Sequence, residues 1–294
     1  MKIKRSKGER FFHLLIGIFL ALLCLITIYP FWHVIMYSLS DSRKAMTGGL
    51  FFWPRSFTLL GYETLFKTGQ IFVAYRNSLL QTAVGVCVSL LLTVLTAFPL
   101  SLQRFRGRKI FTLLIFLTML FNGGMIPTYL LIQSLGLLDS FWVLIFPLMM
   151  TAYNMFVVRN HFQSIPASLA ESAYIDGAGP FTTLFRIIVP ISLPTIAAVA
   201  MFYMMRYWNS YKECIFYTNT PDLQTLQVYL RNLLSSNSAM DGVAGNVTTE
   251  QKALLTDETV KMTTIAASVL PVLIFYPFIQ RFYTKGMVAG AVKG

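Results

Sequence analysis

Six long apolar runs, separated by polar gaps, are the feature of this chain that most limits its possible folds. A helix needs about 20 apolar residues to cross the ~30 Å hydrocarbon core of a bilayer, and each run reaches that length. The sequence therefore predicts an all-α polytopic membrane protein with six transmembrane helices, packed helix on helix within lipid as one domain. The predicted spans are residues 12–38, 75–102, 110–132, 139–160, 187–212 and 262–282.

The amino-acid composition agrees with a membrane protein. Hydrophobic residues make up 55% of the chain and charged residues 12%, whereas about 25% of the residues are charged in an average soluble domain. The net charge of +12 is compatible with nucleic-acid binding, but the basic residues flank the spans and form no single patch. We therefore expect membrane lipid, and no nucleic acid, as a partner.

The distribution of lysine and arginine predicts how the chain is oriented. Cytoplasmic loops carry an excess of these residues close to the span ends. Basic residues precede the first span, crowd the short loop after the second and follow the last. They are Lys2, Lys4, Arg5, Lys7 and Arg10, then Arg104, Arg106, Arg108 and Lys109, then Arg281, Lys285 and Lys293. Both termini are predicted to be cytoplasmic, and so is the polar loop around Glu171.

The third span contains a sequence that interrupts a regular helix. Asn122-Gly123-Gly124 and Pro127 lie inside its apolar run, so the span is predicted to break or bend there. One interpretation is a kink that neighbouring helices tolerate. The other is a direct contact with a transported substrate.

Several kinds of chemistry are not indicated by the sequence. It contains no G-x-x-x-x-G-K-[ST] motif, so we expect no ATP site in this chain. The interiors of the second, third, fourth and sixth spans contain no Asp or Glu, the groups on which proton- or sodium-coupled carriers usually depend. Cys24, Cys87 and Cys214 have no metal-type spacing. We predict no catalytic residue, metal site or cofactor in this chain, and any energy for transport must come from elsewhere.

The polar loop between the fourth and fifth spans has the pattern of a short helix. Ser168 and Glu171 fit a capping box, with Ser168 as the N-cap, and Pro166 suits a helix start. Gly177 permits the positive φ that ends a short helix. Small Ala173 and Ala178 would leave a shallow surface for a partner. The loop is either a local helix-turn-helix or a docking element.

The full run of the loop favours docking, because it resembles a known motif. Glu171-Ser172-Ala173-Tyr174-Ile175-Asp176-Gly177-Ala178, followed by Ile187, Pro190 and Pro194, resembles the cytoplasmic loop of bacterial ABC-importer permeases. Ser172 stands where Ala is usual, and Val189 where Leu is usual. The resemblance implies a short helix within residues 159–190 that docks on a separate ATPase subunit. The coupling residues it implies are Glu171, Ala173, Asp176, Gly177 and Ala178.

The resemblance covers nearly the whole chain. Residues 122–129, Lys285-Gly286 and residues 290–294 are similar to the carbohydrate-importer branch, and more narrowly to permeases for uronate-containing oligosaccharides of the alginate or pectin type. This implies one permease domain over residues 1–294, with a maltose-transporter-like fold, in a bacterial inner membrane. It also implies a homologous second permease subunit, two ATPase subunits that bind ATP and Mg, and an extracytoplasmic solute-binding protein.

Aromatic and polar residues near the end of the fifth span are candidates for substrate contact. Tyr203, Tyr207 and Tyr211 recur every four residues, which would place them on one helix face. The candidate set for the substrate pathway is Tyr203, Arg206, Tyr207, Trp208 and Asn209. The rings could stack on sugars while Arg206 binds a carboxylate. Alternatively, the cluster is an interfacial belt at headgroup level.

Residues 213–261 are predicted to form a long extracytoplasmic loop. Its stretch 235–242 is polar and contains glycine, which is typical of a loop. In similar sugar importers the corresponding loop reaches into the binding protein; a plain connector is the alternative.

The sequence thus predicts a permease subunit that imports oligosaccharide by alternating access. Two alternatives stay open. One is an ABC permease for another solute, such as peptide, and the other is a membrane enzyme that transfers sugar.

Overall fold

The computed structural model describes residues 7–235 and 254–291, and these residues form helices with no β-strand among them. The helices are α1 (Lys7–Ser38), α2 (Ser42–Ala45), α3 (Leu60–Lys67), α4 (Gln70–Ser101), α5 (Arg108–Leu120), α6 (Met125–Ser134), α7 (Ala152–Ser164), α8 (Ala167–Ile175), α9 (Pro180–Thr183), α10 (Val189–Ile191), α11 (Leu193–Trp208), α12 (Lys212–Tyr217), α13 (Leu226–Ser235) and α14 (Asp257–Ala291). Short 3₁₀ turns cover Phe141–Leu144, Phe146–Leu148 and Pro221–Leu223, and a π-helical turn covers Leu184–Ile188.

Among the residues that the structure describes, two helices are found to be long and apolar enough to cross a membrane without interruption. They are Phe11–Ser38 within α1 and Gln70–Ser101, which is α4. The most apolar stretch of α1 has none of its residues buried inside the chain, whereas 39% of the corresponding stretch of α4 is buried. α1 therefore presents an apolar surface that this chain does not cover, and α4 packs against α7 and α11.

Three further predicted spans are present as bent pairs of shorter helices. α5 and α6 meet at 119°, the 3₁₀ region Phe141–Leu148 meets α7 at 55°, and Pro180–Ile191 meets α11 at 85°. The sixth predicted span lies within α14, and the total of six spans stays a prediction. Within each pair, the break divides the apolar run into two helical segments whose axes point in different directions.

The break in the third span is confirmed, and its cause is local. Gly124 has a φ of +85°, a conformation that glycine adopts without a steric penalty. The Asn122 side-chain oxygen accepts a hydrogen bond from the Gly124 N–H at 2.8 Å. This turn satisfies a backbone donor that the helix can no longer satisfy.

The fifth span was predicted as one continuous helix over 187–212, and this is wrong. The helical segment begins at Pro180 and changes direction by 85° at Ser192. Pro190 and Pro194 lie on either side of the bend, and proline removes a backbone donor and clashes with the preceding turn. The sequence contains the signal for this bend, because Pro190 and Pro194 both lie within the predicted span 187–212, but the prediction uses them only as the end of the docking motif.

The chain divides into two compact units, Met1–Gly69 with Asn232–Leu270, and Gln70–Arg231 with Pro271–Gly294. The first has a small core of Met36, Tyr37, Ala45 and Phe51. In the second, α4 is central and packs on α7 and α11. Val94, Ala97, Met155, Val158 and Val199 belong to its apolar core.

Buried hydrogen bonds join α4 to α11 inside the second unit. The Tyr203 hydroxyl lies 2.7 Å from the Thr93 hydroxyl, and the Tyr207 hydroxyl lies 3.0 Å from that of Ser89. About two turns before Ser89 on α4, the Gln81 amide donates to the carbonyl of Leu144 in the first 3₁₀ turn at 3.2 Å. Polar side chains that pair across helices hold membrane helices together where apolar contact alone gives little preference over lipid.

The predicted outer loop, residues 213–261, is helical in much of its described part, through α12, α13 and the start of α14. The Asp139 carboxylate binds the turn at Asn219 and Thr220, which follows α12. The Thr220 hydroxyl donates to this carboxylate at 2.6 Å and the Thr220 N–H at 2.9 Å, and together with the Asn219 N–H they lower the pKa of Asp139.

Residues 236–253, which include most of the polar stretch, lie outside the described residues. So do Lys2, Lys4, Arg5 and Lys293 of the orientation argument, which stays a prediction.

Close packing at Gly85 generates a stability prediction. A Cβ atom at this position would lie 2.5 Å from the Tyr207 ring, so Gly85→Ala must push Tyr207 away from Ser89. We expect a loss of about 1–3 kcal/mol, the usual cost of overpacking, measured by thermal unfolding of the purified protein.

The matched control is Gly17→Ala in α1, where nothing lies within 4 Å of the added Cβ. Replacing a helical glycine at an open position stabilises by about 0.5–1 kcal/mol. Equal melting temperatures for the two variants would contradict the packing of α4 against α11 described above.

Candidate functional site

The polar loop forms the short helix that the sequence predicts, and its end is a Schellman motif. The Ala178 N–H donates to the Ala173 carbonyl at 2.8 Å, and the Gly177 N–H donates to the Tyr174 carbonyl at 3.1 Å. Gly177 has a φ of +81°, as this motif requires. The positive φ predicted at Gly177 is confirmed.

The beginning of α8 differs from the prediction. Ser168 is not the N-cap: α8 begins at Ala167, Pro166 precedes it as the capping residue, and no side chain caps the helix. Proline fixes φ near the helical value and lacks an N–H, so it starts the helix before Ser168. The capping box was therefore wrong. The Ser172 hydroxyl donates instead to the Ser168 carbonyl at 2.6 Å.

The outward face of α8 also differs from our expectation. Ala173 is buried, so it packs against the rest of the chain and is not exposed to a docking partner. Ile175 is 86% exposed and Phe181, just after the turn, is 70% exposed. Exposed apolar side chains of this size mark binding surfaces when they lie together. Neither residue is among those predicted from the sequence, although an apolar residue directly beside the Asp-Gly helix end is a usable signal.

The exposed polar members of the predicted set flank this apolar pair. Glu171, Asp176 and Gly177 are exposed, and Ala178 is half-buried. The surface of α8 and the following turn thus combines two carboxylates with two bare apolar side chains, Ile175 and Phe181. We call this the α8 surface.

A cleft lies between α8 and the end of α4. It has a volume of 520 Å³. Its lining includes Ser101 of α4, Glu171 and Tyr174 of α8, Gln103 from the loop after α4 and Ile188 of the π-helical turn. The Arg104 guanidinium lies 4.3 Å from the centre of the Tyr174 ring. Such cation–π contacts contribute about 0.5–1 kcal/mol at exposed sites, and this one connects α8 to the loop after α4.

The segment after the α8 surface runs directly into the core. Thr183, Leu184 and Ile188 are buried, and the last two pack in the same cluster as Tyr203 and Tyr207. A displacement of α8 therefore acts on tightly packed side chains of α4, α7 and α11, since packed cores transmit strain.

Tyr203 and Tyr207, two of the predicted pathway residues, lie inside the protein. They are 0% and 1% exposed, and their hydroxyls bond to Thr93 and Ser89. In this structure neither ring has a free face, so they form neither an interfacial belt nor a sugar-stacking surface. The three-residue stripe is also shorter than predicted, because α11 ends at Trp208 and Tyr211 lies beyond it. Tyrosine spacing alone does not show which neighbour a helix face meets.

The other pathway candidates differ in accessibility. Trp208 is buried, Arg206 is half-buried and Asn209 is exposed. The Asn209 amide donates to the Met205 carbonyl at 2.8 Å and closes the end of α11. Arg206 is the one cation of the set, and its place in a substrate pathway stays a prediction.

Within residues 7–235 and 254–291, no three His, Cys, Asp or Glu side chains lie close enough together to hold a metal ion. The α8 surface, its cleft and the end of α11 are the candidate sites that bear on the predicted residues.

Comparison with known proteins relates this geometry to a family. Residues 69–289 match the family described as binding-protein-dependent transport system inner membrane component. The chain is 40% identical over 286 residues to the polygalacturonan/rhamnogalacturonan transport system permease protein YtcP of Bacillus subtilis strain 168, covering 97% of this chain and 99% of that protein. It is 37% identical to protein LplC of the same strain over 289 residues, covering 98% and 97%.

A solved structure has the same fold. It is described as a bacterial ABC transporter involved in the import of the acidic polysaccharide alginate. One of its chains superposes with a TM-score of 0.87 and 29% sequence identity, covering 96% of this chain and 100% of that one.

The Schellman motif generates a prediction for Gly177→Val. Left-handed backbone costs about 1–2 kcal/mol for a residue with a Cβ atom, so the variant should lose the fixed end of α8 and present Ile175 differently. We expect normal amounts of protein in the membrane, because the spans are unchanged, but faster proteolytic cleavage within residues 166–180.

Gly179→Val is the matched control. Gly179 has a φ of −73° and nothing lies within 4 Å of an added Cβ, so its cleavage rate should stay at that of the original chain. Equal cleavage of both variants would show that the positive φ does not determine the end of α8.

Proposed function

The chain belongs to the family of binding-protein-dependent transport system inner membrane components, and from this premise we propose that it forms the permease subunit of an ATP-driven importer of oligosaccharides. The observation that carries the proposal is the α8 surface, a short exposed helix with a fixed end that continues into the packed core. An importer of this class must pass the energy of ATP hydrolysis from a soluble subunit to membrane helices, and a surface of this kind suits that purpose.

The energy source is proposed to be a pair of separate ATPase subunits, which bind ATP and Mg. The sequence has no P-loop of its own. The coupling residues are proposed to be Glu171, Asp176, Gly177 and Ala178 at the docking surface, with Ala173 acting from beneath by packing. Ile175 and Phe181 add the apolar contact.

The mechanism we propose is alternating access driven through α8. When the ATPases close on ATP, they move α8 at its exposed face. Leu184 and Ile188 then transmit the movement to α11, which is joined to α4 by the Ser89–Tyr207 and Thr93–Tyr203 hydrogen bonds. Because these bonds are buried, α4 and α11 move together.

The substrate class is proposed from the relatives. YtcP is named for polygalacturonan and rhamnogalacturonan, and the superposed structure is named for alginate. Both names refer to polysaccharides with uronate units, which supports an acidic oligosaccharide over a peptide. Arg206 at the end of α11 has the charge to meet a uronate carboxylate.

The remaining partners are proposed from the same family. They are a homologous second permease subunit, which completes the pathway, and an extracytoplasmic solute-binding protein, which delivers the oligosaccharide. Residues 213–261 are proposed to face that protein. Both termini and α8 are proposed to lie on the cytoplasmic side, in agreement with the basic residues near α4, α5 and α14.

The test of the function is ATP hydrolysis by the assembled complex in proteoliposomes. With binding protein present, pectin- or alginate-derived oligosaccharides should stimulate hydrolysis several-fold, while neutral peptides should not. The isolated chain should show no nucleotide hydrolysis. Stimulation by peptide instead, or turnover by the purified chain alone, would contradict the proposal.

Purification of the complex tests the docking role of α8. The Gly177→Val variant should fail to co-purify with the ATPase subunits, whereas the Gly179→Val variant should retain them.

Arg206 generates a separate prediction about specificity. Arg206→Leu removes a cation that meets a uronate, so uptake of acidic oligosaccharide should fall about tenfold or more, given that hydrogen bonds to charged groups are worth about 1.5–3 kcal/mol. Uptake of a matching neutral oligosaccharide and assembly of the complex should be unchanged. Equal loss of both substrates would show that Arg206 has no role in recognising charge.

A further inference from the structure

A second cavity lies beside the α8 cleft, between the start of α5 and the second half of α7. Its volume is 1010 Å³, just above the range of about 300–1,000 Å³ that is typical of ligand sites. The lining residues are Gln103, Phe105, Gly107, Arg108, Lys109, Ile110, Thr112, Leu113, Phe116, Phe156, Arg159 and Asn160. Three of these side chains are basic, and none is acidic.

The basic end of the cavity holds two guanidinium groups close together. With its amide turned so that the oxygen faces them, Gln163 accepts a hydrogen bond from Arg108 and another from Arg159, the latter at 3.1 Å. Arg159 also donates through Nε to the Leu100 carbonyl at 2.9 Å. Both arginines are half-buried. Like charges gathered on one neutral acceptor repel each other, and an anion between them would relieve that repulsion.

The other side of the cavity is apolar and continues along α5. Ile110, Leu113 and Phe116 lie three residues apart, and side chains at this spacing are neighbours on a helix surface. They are 65%, 56% and 45% exposed, and α5 contains no buried residue. Between the two regions, the Thr112 hydroxyl has no hydrogen-bond partner among the described residues.

We propose that this cavity binds an anionic phospholipid, with its phosphate between Arg108 and Arg159 and its acyl chains along Ile110, Leu113 and Phe116. Basic pockets between transmembrane helices are a recurrent way of binding such headgroups. The proposal rests on the proposed function only for the choice of leaflet, since the cavity lies at the same end of the helices as α8.

Both halves of the ligand are needed to match the cavity. A free phosphate would use the guanidinium groups and leave the apolar wall bare. An acidic segment of an ATPase subunit would also leave it bare, because such a subunit approaches from the water and does not reach along α5. A phospholipid supplies an anion and a hydrocarbon chain in the same molecule, in the order that the cavity presents them.

The cavity also has a place in the action of α8. Gln103 and Arg108 line both this cavity and the α8 cleft. A bound headgroup would hold Arg108 in the first cavity and so fix one wall of the cleft in which Glu171 and Tyr174 lie. The lipid would therefore stabilise the position of α8 against α4.

The experiment measures lipid retention by the intact complex. The complex is purified from nanodiscs containing equal amounts of phosphatidylglycerol and phosphatidylcholine, and the retained lipids are quantified by mass spectrometry. The original chain should be enriched in phosphatidylglycerol. The double variant Arg108→Gln, Lys109→Gln should lose that enrichment by about fivefold or more, since one basic side chain near an anionic surface contributes about 1 kcal/mol and 1.4 kcal/mol is a tenfold change.

Two further variants separate the possible ligands. Arg106→Gln is the matched control, because Arg106 belongs to the same basic loop but lines neither cavity, and it should retain phosphatidylglycerol like the original chain. Phe116→Ala should reduce retention through the apolar wall alone. Excess inorganic phosphate should not displace the lipid.

Three outcomes would overturn the proposal. Equal retention of the two lipids by the original chain would show no preference for an anion. Full displacement by inorganic phosphate, with Phe116→Ala unchanged, would indicate a phosphate site. Loss of the ATPase subunits from the double variant, with lipid retention unchanged, would indicate a protein contact. Lipid retention is measured without substrate or ATP. It therefore tests the lipid site even if the oligosaccharide-stimulated ATPase assay fails.

Discussion

The hydrogen bonds that join α4 to α11 are the interaction on which the rest of the second unit depends. In lipid, apolar helices gain little from touching each other compared with touching acyl chains, so polar pairs and close packing decide which helices associate. Here Tyr203 and Tyr207 reach across to Thr93 and Ser89, and Gly85 leaves room for the Tyr207 ring. Each bond is modest, about 0.6 kcal/mol on average in a membrane, but together they fix which face of α11 turns inward. Everything attached to α11, including the segment that follows α8, takes its position from this contact.

The bent helices follow from a second constraint, the need to satisfy backbone groups wherever a span is interrupted. At the third span the Asn122 side chain and Gly124 form a local turn that replaces the missing helical bond. At the fifth span two prolines frame Ser192, where the helix axis turns by 85°. Interrupted spans of this kind occur in transporters where the backbone is shielded by protein or lines a cavity. The bends also let one segment lead from an exposed helix into the core without a long loop.

These features give the proposed importer subunit a simple mechanical arrangement. In the proposed mechanism, the exposed α8 surface receives the movement of the ATPase subunits and the π-helical turn Leu184–Ile188 carries it inward. α4 and α11, which pack on each other, then respond together. The cleft beside α8 and the basic cavity share Gln103 and Arg108. The anionic headgroup of the proposed lipid would therefore lie close to α8. The proposed ATPase contact and the proposed lipid contact therefore act on one element, α8.

The sequence by itself determined the features that depend on local chemistry. The apolar runs located the long helices and the bent helix pairs, Asn122-Gly124 located a break, and Gly177 located the end of α8. Backbone conformation at glycine and the length of an apolar run are local properties. Only the tertiary structure decided the features that depend on a neighbour. Tyr203 and Tyr207 face α4, Ala173 faces inward while Ile175 faces out, and Arg108 and Arg159 share one amide. Spans that are apolar on every side carry no periodic signal for the face they bury, so the partner of each face is fixed only when the helices pack.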